Sequence, residues 1–68
     1  MARHPSVTDR TLPPDERKAI FLALVQFQDG GMGVADSRAA VAKQFGVKQQ
    51  QVERIEAEGV EAEWPPLG

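Results

Sequence analysis

"VAKQFGVKQQQVERI", residues 41–55, decides the fold. Gly46 stands where a chain leaving a helix needs left-handed backbone, which glycine adopts without steric cost. Ala42, four positions earlier, is small enough for two helices to cross closely. Val41 and Phe45 before the glycine, Val47 within the turn, and Val52 and Ile55 beyond it supply the apolar residues that such a pair points inward. Two short helices meeting across a glycine turn, with this inward set, form a helix-turn-helix.

Upstream, "LPPDERKAIFLALVQFQDGG" (12–31) opens a further helix. Pro14 suits the first helical position, where a missing N–H costs nothing, and Asp15 and Glu16 then complement the helix dipole. Ile20, Ala23, Leu24 and Phe27 form one stripe, which Phe21 and Val25 widen and Leu22 exceeds. This arc is broader than one packing partner requires. The C-terminal tail and a second protomer are the two candidates for covering it.

Asp29, Gly30, Gly31 and Gly33 end that helix and give a connector through Ala35. No Gly-Lys-Ser/Thr follows, so a phosphate loop is not indicated, and Asp29 and Asp36 lack the alternation of a calcium loop. The glycines read as a terminator and hinge. Asp36 or Ser37 is the expected cap of the next helix, and Gly59 the expected end of the last. No segment alternates as a strand does. The expected fold is all-α: a single domain over 12–68, helices about 14–28, 37–45 and 48–58, a mobile N-terminal arm 1–11 and a tail 60–68.

Composition restricts the function. A chain of 68 residues, 41% of them hydrophobic, makes one small core and leaves no room for a catalytic domain. No cysteine is present, which excludes disulfides and thiolate–zinc sites. The longest apolar run, "AIFLALV" (19–25), is too short to cross a bilayer, and no basic-then-apolar leader opens the chain, so a cytoplasmic location is the default. The lone His4 lies in the aperiodic arm without a partner in view. No nucleophile–base pair can be assembled, and neither enzyme activity, cofactor nor metal is expected.

Net charge is −2, but its distribution matters more than its sum. From Ser37 to Arg54 the chain carries Arg38, Lys43, Lys48 and Arg54 against Glu53 alone; from Ile55 onward it carries Glu56, Glu58, Glu61 and Glu63 with no base. With Val52 and Ile55 inward, Gln50, Glu53, Arg54 and Ala57 share the outer face of the last helix, flanked by Gln49 and Gln51. Glutamine pairs bidentately with adenine, arginine with guanine, and glutamate accepts from cytosine. Gln49, Gln50, Glu53 and Arg54 are therefore the candidate base contacts, and Arg38, Lys43 and Lys48 the candidate phosphate contacts. The plain alternative is that such residues are what any solvated helix carries. So few bases imply weak binding by a monomer, hence a homodimer or an associated partner.

"LPPDER" resembles the start of the C-terminal DNA-binding segment, region four, of bacterial sigma factors, and "VAKQFGVKQQQVERIEAEG" resembles its helix-turn-helix, over residues 12–59 in all. The resemblance implies promoter DNA in the major groove and contact with RNA polymerase, for a free-standing domain of that type. The chain departs from the family at Lys48, where a serine or threonine cap is usual, and at Glu53, where arginine is usual, with Arg54 displaced by one.

The tail "EWPPLG" (63–68) has two readings. Trp64 and Leu67 fold back as a lid on the first helix, since a large aromatic gains most by burial, or Pro-Pro holds an extended docking peptide for another protein. Two functions follow: a DNA-reading transcriptional regulator or accessory factor, and a protein-interaction module that keeps the fold without binding DNA.

Overall fold

The computed structural model describes residues 12–67; the arm 1–11, with His4, lies outside the described residues. The chain forms α1 (Pro14–Asp29), α2 (Val34–Phe45) and α3 (Gln49–Ala62), with no strand among the described residues. Each helix packs against both others.

The core forms where the three apolar stripes meet. α1 contributes Ile20, Phe21 and Leu24, α2 contributes Val41 and Ala42, and α3 contributes Val52 and Ile55, while Leu12 and Val47 close it from the connecting segments. Phe27 and Phe45 are only partly buried. The widened arc of α1 is covered in part. Trp64 packs edge-on against Phe21, with ring centroids 6.0 Å apart, and Lys18 lies 5.9 Å over the Trp64 ring. Leu22 and Leu67 remain exposed. The lid is therefore Trp64 alone, not Trp64 with Leu67.

The turn between α2 and α3 follows the chemistry of its residues. Gly46 adopts φ 69°, ψ 37°, and the Val47 N–H donates to the Ala42 carbonyl at 3.0 Å. This bond, with apolar Val47 buried just beyond the glycine, is the Schellman closure of a helix C-terminus. Lys48 is then the N-cap of α3 and gives it no side-chain cap. A lysine has no acceptor to offer.

Two boundaries differ from the sequence expectation. α2 starts at Val34, three residues before Ser37, with extended Gly33 as its N-cap. Neither Asp36 nor Ser37 caps it. Asp36 lies in the first turn, where the dipole favours a carboxylate. Ser37 is fully buried, donates to the Val34 carbonyl at 2.8 Å and accepts from Gln28 Nε2 at 3.1 Å. Its hydroxyl ties the first turn of α2 to the end of α1, and that tertiary bond outweighs its preference for a cap.

α3 does not stop at Gly59. It continues to Ala62, with Gly59 buried against α1. A Cβ on Gly59 would lie 2.4 Å from Cδ1 of Phe21 and 2.5 Å from Cε1. Glycine is required here by the approach of two helices, not by a turn. The turn comes four residues later at Glu63, with φ 55° and ψ 46°. Trp64 N–H donates to the Gly59 carbonyl at 2.9 Å and Glu63 N–H to that of Val60 at 3.3 Å. A non-glycine residue thus holds a left-handed Schellman position, and the closure seats Trp64 on Phe21.

Candidate nucleic-acid interface

The site follows from the direction in which α3 is buried. Val52, Ile55 and Gly59 face the core, and Gln51 joins them at 8% exposure. Gln51, read as a flanking residue, belongs to the interior edge. Gln49, Gln50, Glu53, Arg54 and Ala57 are all exposed. Gln50 and Ala57 lie near the centre of the outer face, with Glu53 towards α2 and Arg54 towards the start of α1. This split is visible in their neighbours: Glu53 lines a hollow with Arg38 of α2, and Arg54 one with Leu12 and Arg17.

At the turn, Ala39, Ala42 and Lys43 of α2 face Val47, Lys48 and Gln49 across an open hollow of about 570 Å³. Its floor is apolar and backbone, and its rim carries the two lysines and one amide. The first N–H groups of any helix lack partners within the helix. Here Lys48 O accepts from Gln51 and Val52 N–H, and no side chain caps the end. The helix dipole adds its positive end at the same place. Lys43, Lys48, Gln49 and Gln50 are thus brought to one end of α3.

Arg38 stands apart from that group. Its Nε and NH2 both donate to Glu56 Oε1, at 2.9 and 2.7 Å, and NH1 is 4.0 Å from Glu53 Oε2. On the other flank Arg17 pairs with Glu58, Nε to Oε1 at 3.1 Å, and NH1 donates to the Leu12 carbonyl. The arginines of α1 and α2 therefore face the carboxylates of α3. Glu61 and Glu63 make no ion pair among the described residues. The result is a graded helix, amide and basic at its start, internally neutralised in its middle and acidic at its end. Sequence reasoning did not find the two interhelical pairs. Arg17–Glu58 joins residues 41 positions apart and Arg38–Glu56 residues 18 apart, and no local spacing signals such pairs.

No group of three or more potential metal-ligating side chains occurs among the described residues. No helix there is long and apolar enough to cross a membrane. No family model, characterised protein or solved structure matches this chain.

Proposed function

We propose that the protein binds double-stranded DNA, with the N-terminal half of α3 in the major groove, as a transcriptional regulator or accessory factor of the sigma region four type. The observation that carries this reading is the convergence of Lys43, Lys48 and Gln49 on one hollow, beside exposed Gln50 at an uncapped helix start. The lysines would contact phosphates, and the backbone N–H groups of the first turn would hold a phosphate oxygen as helix N-termini do. Gln49, Gln50 and Arg54 would read purine edges. The first turns of a recognition helix are the part that reaches base edges, so the acidic end of α3 lies clear of the phosphates.

A fluorescence-anisotropy titration of labelled duplex DNA at two salt concentrations tests the reading. Two lysine–phosphate contacts give a log–log salt slope of about −2, since each contributes about 0.9. Absence of binding at low salt would refute it.

The second reading is a protein-docking module, favoured by one feature. Val60 and Leu67 are exposed beside the carboxylates Glu61 and Glu63, at the opposite end of α3 from the lysines. A polymerase or other protein partner would engage that end, and DNA would then have no effect on it.

A further inference from the structure

We propose that Arg38 is a positioning residue for Glu53, and that the two together select cytosine in the DNA read by α3; this rests on the DNA-binding reading above. From sequence position alone, Arg38 is a phosphate anchor. Its geometry assigns it differently. A guanidinium is a rigid plane with five N–H donors. Nε and NH2 converge on a single Glu56 oxygen, which fixes the plane against α3 and presents NH1 to Glu53 at 4.0 Å. Glu53 and Glu56 lie three residues apart and so share one edge of α3. Arg38 is thereby committed to the helix it crosses.

The consequence falls on Glu53, whose side chain remains 52% exposed. An uncompensated carboxylate on a groove-facing helix would be repelled by phosphates. With the Arg38 guanidinium 4.0 Å away, that carboxylate has a positive charge within ion-pair reach, and being half exposed it keeps lone pairs open to a base edge. The base edge it suits is the N4 amino group of cytosine, a donor in the major groove. Adenine also offers an amino group, but the adjoining N7 acceptor repels the second carboxylate oxygen. Glu53 lies three positions from Gln50, so the two are neighbours on the exposed face of α3 and the cytosine would adjoin the purine that Gln50 reads.

The test is selection from a randomised duplex library with the wild-type chain, Glu53→Gln and Arg38→Lys, each first checked for wild-type helicity and melting. Lysine keeps the charge but not the two-pronged geometry. The expected result is a cytosine preference at one position of the wild-type site that falls about fivefold or more in both variants, while the salt slope is unchanged. Arg38→Lys with an unaltered base profile would overturn the positioning role, since a phosphate anchor is served equally well by lysine. Glu53→Gln with an unaltered profile would overturn the cytosine assignment. A wild-type chain that enriches no sequence at low salt would remove the DNA-binding reading itself, and this inference with it.

Discussion

Substituting Gly59 by alanine separates two roles of a glycine by the sign of its effect. If Gly59 were an ordinary helical residue with open space beside it, alanine would stabilise α3 by about 1 kcal/mol through helix propensity. The structure predicts the reverse. The new methyl would lie 2.4, 2.5 and 2.7 Å from three atoms of the Phe21 ring, well inside van der Waals contact at about 3.5–4 Å. Phe21 is 1% exposed and is backed by Trp64, so the ring has no free volume to enter. Overpacking of this kind costs roughly 1–3 kcal/mol. Contacts as short as 2.4 Å put the cost in the upper part of that range, about 2–3 kcal/mol, so less the propensity gain Gly59→Ala should destabilise by about 1–2 kcal/mol. In a domain this small, 1 kcal/mol moves Tm by about 4–8 °C, so thermal unfolding followed by circular dichroism should show Tm lowered by roughly 4–15 °C. Adding Phe21→Leu should make the Gly59→Ala step less costly, because the two sites share the contact. A variant that melts at or above the wild-type temperature would refute the close approach of α1 and α3.

Three further perturbations follow from the helix ends and the tail. Lys48→Ser supplies the missing acceptor at the start of α3 and should stabilise the fold by about 1 kcal/mol, read as a raised denaturant midpoint at unchanged m-value. Glu63→Gly relieves a left-handed non-glycine residue at the end of α3 and should stabilise by roughly 0.5–1 kcal/mol, the lower part of the usual steric cost after glycine's added chain entropy; a loss of stability in the same assay would contradict it. Trp64→Ala removes a half-buried aromatic from Phe21 and should cost about 2 kcal/mol, roughly half of a full Trp→Ala deletion, and an unchanged Tm would return the tail to the docking reading.

Features set by neighbours in sequence were legible, and features set by distant residues were not. Ala42, Gly46, Val47 and the inward valines lie within a dozen consecutive residues and obey local rules, so the α2–α3 pair follows from residues 41–55. The start of α2 was misplaced because serine and aspartate are good caps in isolation, whereas here Gln28 binds Ser37 across the connector. Gly59 was read as a terminator because glycine serves both to end helices and to admit a neighbour. Only the position of Phe21 on α1 separates the two uses. Among the candidate contacts, exposure of Gln49, Gln50, Glu53 and Arg54 followed from helical spacing, but the Arg38–Glu56 pair depends on how the helices cross. The fold was therefore readable further than the charge arrangement on its surface.

The central claim is that the start of α3, with Lys43 and Lys48, is the surface that meets DNA. Backbone amide chemical shifts of the isotope-labelled chain, recorded during titration with duplex DNA at low salt, test it most directly. The account predicts the largest perturbations between Lys43 and Arg54, diminishing towards Ala62 and weakening as salt rises. A spectrum that stays still, or moves only around Val60 and Leu67, would contradict it.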